Sequence, residues 1–181
     1  MNGYLQRIIM IGIDEAGRGA LAGPMVLAAC KLNNAINNLN DSKKLSEKKR
    51  EKLFEEIIQN STYHIIFIDN FTIDELGISL SYKKALTEFK EHFKDYNDEL
   101  LFDGNTDYKS GIKTQINADE IYPCVMAASI LAKVSRDRFM KNIINEYCFY
   151  KHKGYGTKLH KELIQKFGLS SLHRKSFCKN I

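Results

Sequence analysis

The feature that most constrains this chain is an apolar run that ends in two adjacent acids. Residues 8–13 read IIMIGI, and Asp14 and Glu15 follow directly. Residues 4–13 therefore predict a buried strand, and a carboxylate at its end is costly to bury unless a partner neutralises it. Two acids that cap a strand at the surface would explain the same pattern, so the pair alone leaves both interpretations open.

A glycine turn follows the acids and favours a binding role. Gly17, Arg18 and Gly19 begin the segment GRGALAGP. Glycines let the backbone approach a ligand closely, and successive backbone amides can form an anion-binding nest. The segment lacks the lysine and the Ser/Thr of a phosphate-binding P-loop. It is a moderately specific sign of a ligand site.

A second apolar strand ends in an acid at Asp103, in the segment LFDGN. Asp-Gly is also a favoured turn dipeptide, so a plain turn remains possible here. Strands that alternate with helices predict an α/β fold, with a mixed five-stranded sheet flanked by helices and a small helical C-terminal part. The predicted strands are residues 4–13, 25–32 (antiparallel to the first), 62–69, 100–103 and 114–117; the predicted helices follow an N-cap at Ser46, run from a capping box at Thr72 and Glu75 to Phe93, from Pro123 to Tyr147, and over 158–167.

A further acid, Asp119, lies just before the predicted helix at Pro123. Acids are common at helix starts for capping and dipole reasons, so Asp119 matters only if it converges with the others. Asp107 lies in a polar turn sequence, and Glu120 should point away from Asp119 because successive residues of an extended chain alternate sides. Several carboxylates in one site repel one another unless cations neutralise them, and Mg²⁺ or Mn²⁺ prefers such oxygen ligands.

The charge is unevenly distributed. Residues 133–181 contain 12 Lys/Arg and 3 Asp/Glu, whereas residues 1–132 contain 15 and 19. A basic C-terminal third predicts a polyanionic partner. The length of 181 residues fits one domain, residues 1–181, with residues from about 140 to 181 as a basic helical extension.

The four cysteines are widely spaced and form no CxxC pair. Zinc ligation is therefore not predicted, and free thiols in a reducing compartment are expected. The apolar N-terminal stretch is too short for a membrane span and lacks the features of a signal peptide. These observations predict a cytoplasmic protein with no membrane partner.

Six segments, taken in order, resemble bacterial ribonuclease HII, the type 2 ribonuclease H family. They cover residues from about 10 to 177 and read DEAGRGALAGP, NDSKKLSEKKRE, LFDGN, AASILAKVSRDR, HKGYGTKLH and LHRKSF. The resemblance implies a ribonuclease H-like fold. It also implies an endonuclease that hydrolyses the RNA strand of RNA–DNA hybrids and cuts 5′ of ribonucleotides embedded in duplex DNA, leaving 3′-hydroxyl and 5′-phosphate ends by a two-metal mechanism.

The resemblance also assigns residues. Metal-binding and catalytic acids match Asp14, Glu15, Asp103 and Asp119, which would hold Mg²⁺ or Mn²⁺. A ribose-sensing turn matches Gly17, Arg18 and Gly19, and a substrate-sensing tyrosine matches Tyr155. Lys43 and Lys44 belong to the DSKKLS segment, and Lys133, Arg136 and Arg138 to the basic helix segment, where phosphate contacts or structural ion pairs are expected; the predicted substrate-binding set is Gly17, Arg18, Gly19, Lys43, Lys133, Arg138 and Tyr155.

Two competing functions fit the sequence less well. The related type 3 ribonucleases H carry a different turn after the acids and usually an added N-terminal domain, and only 13 residues precede Asp14. A duplex-binding module without activity is disfavoured by the presence of all four acids.

The histidines His152, His160 and His173 match no metal-ligand spacing, which favours helix packing or phosphate contacts. A monomer is predicted, and no clamp-binding peptide is apparent, so sliding-clamp binding is not predicted.

Overall fold

The structure, a computed structural model, describes residues 10–179 and residue 181, so the predicted strand residues 4–9 lie outside it. Within these described residues, five strands and five α-helices follow one another. Their bounds are β1 Met10–Ala16, β2 Met25–Leu32, α1 Glu47–Asn60, β3 Ser61–Ile68, α2 Asn70–His92, β4 Glu99–Asp103, β5 Lys113–Gln115, α3 Pro123–Lys141, α4 Phe149–His152 and α5 Lys158–Phe167.

The five strands form one mixed sheet in the order β3-β2-β1-β4-β5. β2 is antiparallel to both β1 and β3, whereas β4 is parallel to β1 and β5 is parallel to β4. The prediction of a mixed five-stranded sheet is therefore confirmed. β1 is the central strand and has β4 as a parallel neighbour, which brings the carboxyl ends of these two strands to the same edge.

Alternation along β1 assigns its side chains to two cores. Ile11 and Ile13 pack with α2 residues in a core on one face of the sheet. Ala16 packs on the other face, in a core that contains α1 and α3 residues. Gly12 lies against the start of α3, where an added Cβ would be 2.3 Å from the backbone nitrogen of Val125. This close approach sets the beginning of α3 directly against the central strand.

Several predicted boundaries were wrong. β1 continues through both acids to Ala16, so the acids lie within the strand and not after it. The N-cap of α2 is Asp69, which accepts a hydrogen bond from the backbone of Thr72, and the helix kinks at Gly77 (φ 75°). α3 ends at Lys141 and not near Tyr147. The predicted N-cap at Ser46 is confirmed by its bond from the Lys49 backbone.

The C-terminal residues return to the loop that joins β1 and β2. His173 forms a β-bridge with Ala22, and the Arg174 backbone nitrogen donates to the Leu21 carbonyl at 2.8 Å. The Gly23 nitrogen donates to the Leu172 carbonyl at 2.9 Å. The basic end of the chain is thereby fixed beside the glycine turn that follows β1. Across the described residues, no helix has both the length and the apolar character that a membrane span needs.

Candidate active site

Parallel pairing of β1 with β4 places two acids side by side. Ile13 is in register with Phe102, so Asp14 and Asp103 are the next residues on the two strands. The residues two positions earlier, Gly12 and Leu101, both face α3, and alternation therefore turns both carboxylates toward that helix. Asp14 is buried and Asp103 is partly buried.

Asp119 reaches the same point from a 3-10 turn, Ala118–Glu120, just before α3. The Ala118 nitrogen donates to Asp103 Oδ1 at 3.1 Å and ties this turn to the end of β4. Asp14, Asp103 and Asp119 each offer a carboxylate oxygen, and these oxygens all lie within 4.8 Å of one another. The structure thus brings together three of the four predicted acids.

The two acids considered as alternatives to Asp119 lie elsewhere. Asp107 accepts backbone hydrogen bonds from Lys109 and Gly111 at 3.1 and 3.0 Å within its own loop. Glu120 is exposed and pairs with Lys44 at 3.0 Å. Among the acids near α3, the geometry therefore singles out Asp119.

Glu15 follows Asp14 on β1 and points to the opposite face of the sheet. It lies on the α2 side with Ile11 and Ile13, outside the group of three oxygens. Its Oε2 is buried and has no hydrogen-bond partner among the described residues. Burial raises the pKa of Glu15, whereas the neighbouring Tyr82 and Arg18 lower it. This carboxylate is beside the cluster and retains unused acceptor capacity.

The electrostatics of the cluster fit a divalent cation. Burial raises the pKa of Asp14 well above its ordinary value, and the charges of Glu15 and Asp103 add to the effect. Burial and the charge of Asp119 also raise the pKa of Asp103. Crowded carboxylates resist ionisation because their charges repel, and a hard divalent cation relieves this repulsion while accepting oxygen ligands. The donor set therefore suits Mg²⁺ or Mn²⁺.

A turn between β2 and α1 closes one side of the cluster. Lys43 lies in the 3-10 turn Ser42–Lys44, and its Nζ is 3.3 Å from Asp119 Oδ2. Ser42 shares a 2.8 Å hydrogen bond with Ser129 of α3, which joins the turn to the helix. The side chain of Lys43 is 76% exposed, so its ammonium group stays accessible beside the acids.

A cleft of about 240 Å³ adjoins the acids and collects most of the predicted substrate-binding residues. Its lining combines one acid, two serines, the glycine turn, two lysines and an aromatic ring: Glu15, Ala16, Gly17, Arg18, Gly19, Ser42, Lys43, Ser129, Lys133 and Tyr155. A larger cavity, of about 550 Å³, lies beside the asparagine-rich loop, but Glu56 is its single acid. Of these two cavities, the smaller one adjoins the carboxylate cluster, because Lys43 both lines it and contacts Asp119.

Two of the predicted basic contacts do not face the cleft. Arg138 is held by Glu51 and Glu55 of α1, with nitrogen–oxygen distances of 2.5 and 2.8 Å. Arg136 is fully buried and donates to backbone carbonyls. Either phosphate contacts or structural ion pairs were expected for this segment. Arg138 forms structural ion pairs, and Arg136 lies in the protein interior. Lys133 does line the cleft, 5.7 Å from the Tyr155 ring centre.

The three C-terminal histidines are packing residues, as one of the two interpretations held. His160 and His173 are buried, and their Nε2 atoms are 3.1 Å apart. His152 stacks on His160 with ring centres 4.2 Å apart. No sequence pattern singled out Arg174, which is fully buried and reaches the glycine turn from the far end of the chain. Arg174 lies between a histidine and a lysine in the sequence, and such a polar neighbourhood does not predict burial.

Comparison with known proteins identifies the family. A family model described as Ribonuclease HII matches residues 11–180. A Ribonuclease HII of Campylobacter jejuni (strain 81-176) is 59% identical over 174 residues, covering 94% of this chain and 91% of its own length. One from Aliarcobacter butzleri is 55% identical, covering 93% and 90%. The chain belongs to the ribonuclease HII family.

Solved structures agree with this assignment. The ribonuclease HII in a complex with PCNA from Archaeoglobus fulgidus superposes with a TM-score of 0.76 at 27% identity, covering 92% of this chain and 93% of that one. The ribonuclease H2 of Pyrococcus horikoshii gives 0.71 at 26%, covering 92% of each. The predicted ribonuclease H-like fold is confirmed. As a ribonuclease HII, the protein is an endonuclease that cleaves the RNA strand of RNA–DNA hybrids. The type 3 family and the inactive binding module are thereby set aside.

Proposed function

We propose that this ribonuclease HII also cuts 5′ of single ribonucleotides embedded in duplex DNA, with Asp14, Glu15, Asp103 and Asp119 as its catalytic acids. The observation that carries the proposal is the convergence of three carboxylates within 4.8 Å beside the cleft that the glycine turn lines. The scissile bond joins phosphorus to the 3′-oxygen of the preceding nucleotide. Water replaces that oxygen, so the products end in a 3′-hydroxyl and a 5′-phosphate.

Divalent cations complete this site. Asp14, Asp103 and Asp119 would hold Mg²⁺ or Mn²⁺, with Glu15 as a further ligand and two ions when substrate is bound. When bound, the ions would activate the attacking water and stabilise the leaving oxygen. The chain itself fixes the carboxylates, since β1 and β4 set two of them and the bond from the Ala118 nitrogen to Asp103 locates the third. Lys43 places one protein cation beside Asp119.

The glycine turn is the proposed reader of the ribose. A 2′-hydroxyl is the one group that distinguishes RNA from DNA at a given nucleotide. Gly17 has a φ of 87°, and an added Cβ would lie 1.9 Å from Arg136 Nε, so only glycine fits this position. Gly19 is exposed and lines the cleft, which leaves its backbone groups accessible. Tyr155 faces the turn across the same cleft, as a residue that stacks on the nucleotide beside the junction would.

We also propose that residues 1–181 act as one catalytic domain, monomeric and cytoplasmic, whose basic extension from about residue 140 binds the duplex. Contacts of Leu172 and Arg174 with the β1–β2 loop support a single domain. The free state of all four cysteines suits a reducing compartment. Sliding-clamp binding, which the Archaeoglobus fulgidus complex shows for that protein, is not proposed for this one.

The test is cleavage of a DNA duplex that contains one ribonucleotide, with Mg²⁺, with Mn²⁺ and with chelator. We expect cutting 5′ of the ribonucleotide only with a divalent ion. Tyr155→Ala should lower cleavage at the single ribonucleotide more than it lowers affinity for the duplex. Cleavage that persists in chelator would overturn the metal mechanism, and activity confined to long RNA tracts would overturn the proposed substrate.

A further inference from the structure

Two arginines are buried without a counterion among the residues that the structure describes. The side chains of Arg136, on α3, and Arg174, near the C-terminus, are fully buried. Within residues 10–179, their hydrogen-bond partners are all backbone carbonyls, and each guanidinium keeps one terminal nitrogen without a partner. Burying a charge without a carboxylate opposes stability, and a fold retains such an arrangement chiefly where function requires it.

Arg136 connects the turn to the tyrosine. Its Nε donates to the Pro24 carbonyl at 2.8 Å, and a terminal nitrogen donates to the Ala22 carbonyl at 3.2 Å. Its guanidinium carbon lies 4.9 Å from the ring centre of Tyr155. The same group occupies the space where a side chain at Gly17 would lie. The planar guanidinium of Arg136 therefore contacts both the glycine turn and Tyr155, which line the cleft, from the protein interior.

Arg174 holds the turn from the other end of the chain. Its Nε donates to the Gly23 carbonyl at 3.0 Å, and a terminal nitrogen donates to the Arg18 carbonyl at 2.9 Å. The C=O and N–H of one planar peptide point in opposite directions. Fixing the Arg18 carbonyl toward Arg174 therefore fixes the Gly19 N–H away from it, and Gly19 lines the cleft.

We propose that Arg136 and Arg174 are positioning residues that hold the Gly17–Arg18–Gly19 turn and Tyr155 in one fixed arrangement before substrate binds. Neither arginine lines the cleft, so both act through the groups that they hold. Arginine suits this task because its rigid fork donates to two carbonyls at once, which a lysine ammonium on a flexible stem does not reproduce. The inference rests on the proposed role of the turn as the ribose reader.

The effect of loosening the glycine turn should depend on the substrate. A single embedded ribonucleotide offers one 2′-hydroxyl, so a loosened turn misplaces the one group that identifies the cutting site. A continuous RNA strand offers a 2′-hydroxyl in every register. Small misplacements of a reacting group cost about 100-fold in rate. Loss of either arginine should therefore reduce cleavage at the single ribonucleotide more than cleavage of the hybrid.

The experiment compares Arg136→Lys, Arg174→Lys and Arg174→Met with the wild type. The control is Lys31→Met, which removes a half-buried cation that pairs with Asp98. Hydrogen–deuterium exchange of the unbound protein is measured over residues 17–24 and 153–157, with α1, which contains none of the substituted residues, as the internal reference. The catalytic efficiency kcat/KM is measured on the single-ribonucleotide duplex and on the hybrid, and Kd on an all-DNA duplex. The lysine variants keep the charge and the aliphatic stem, which protects the fold if Arg174→Met does not fold.

We expect faster exchange in the two segments with α1 unchanged, a loss of about 100-fold in kcat/KM at the single ribonucleotide and a Kd that stays near the wild-type value. Lys31→Met should show neither change. Unchanged exchange over residues 17–24 overturns the inference, as does uniform loosening of the whole protein. Faster exchange with normal cleavage at the single ribonucleotide would instead overturn the turn as the ribose reader, while the holding role stands.

Discussion

At the scale of single residues, the chemistry depends on the direction in which each acid points. Asp14 and Glu15 are neighbours in the chain, yet strand alternation sends one toward α3 and the other toward α2. Asp14 thereby joins Asp103 and Asp119, and Glu15 approaches the cleft from the other face. An amide substitution at such a site removes the charge of the side chain and keeps its shape.

Asp14→Asn and Asp103→Asn should each lower the cleavage rate by orders of magnitude while the protein still binds duplex. An amide keeps the size of the side chain but loses the charge that neutralises a divalent ion. Cleavage rates of the hybrid and affinity for the uncut duplex, measured on the same preparations, check this. Asp107→Asn, in the loop outside the cluster, is the matched control and should stay near wild type. A rate close to wild type in either cluster variant would contradict the assignment.

Asp119→Asn should be strongly impaired, with partial recovery in Mn²⁺, whereas Glu120→Gln should stay near wild type. Asp119 is buried within the cluster, and Glu120 is exposed against Lys44. Mn²⁺ binds a given oxygen site more readily than Mg²⁺ does, which favours recovery when one ligand weakens. Cleavage rates of both variants, measured in Mg²⁺ and in Mn²⁺, check this prediction. An inactive Glu120→Gln beside an active Asp119→Asn would mean that the ligand is the next residue along.

At the scale of elements, the loop that carries Tyr155 is fixed by three neutral histidines. The Ser170 nitrogen donates to His173 Nδ1 at 2.9 Å, so the proton of that ring is on Nε2. His160 Nε2 then accepts, and its Nδ1 donates to the Tyr155 carbonyl at 3.0 Å. Protonation of His160 would place two N–H groups against each other.

These histidines should make stability depend on pH. Burial lowers the pKa of His160 from 6.5 to about 4, and burial also lowers the pKa of His152 and His173. The unfolded chain therefore binds more protons between these values. The contribution of the three rings to folding is complete above pH 6.5 and is lost as the pH falls below that value, for His160 toward about 4.

Urea unfolding of the wild type between pH 7.5 and 5 should show a free energy of unfolding that falls with pH, and His160→Gln should show a shallower fall. Equal slopes of the unfolding free energy against pH in wild type and His160→Gln would show that unfolding does not change the pKa of His160.

At the scale of the whole molecule, the basic C-terminal third is partly internal. Arg136 and Arg174 are buried, and Arg138 is paired with α1. The charge left for a duplex is carried by lysines such as Lys133, beside the cleft, and Lys158, which is exposed. The count of basic residues therefore overstates the surface that phosphates can reach.

Reversing the charge of Lys133, Lys153 and Lys158 to Glu should weaken duplex binding and flatten its dependence on salt. Each phosphate contact contributes a log–log slope of about −0.9 on B-form DNA. Titrations of duplex binding at several salt concentrations measure this slope. Lys83→Glu with Lys84→Glu, on α2 at the other sheet face, should leave it unchanged. A slope that survives the triple reversal would mean that these lysines do not contact phosphate.

The sequence by itself determined the mixed sheet, the order of its elements along the chain and three acids that the fold brings together. Those features are local: apolar runs that end at Asp14 and Asp103, and motifs whose spacing needs no folded context. Strand and helix ends were less accurate, because β1 extends through Glu15 by pairing with β2, which a single strand does not reveal.

Only the tertiary structure decided what each charged side chain contacts. Arg136, Arg138 and Lys133 share one helix, yet one is buried under the turn, one pairs with α1 and one reaches the cleft. Arg174 meets Arg18 across 156 positions of chain. Partners so distant in sequence leave no periodicity or spacing to detect, because long-range packing alone brings them together.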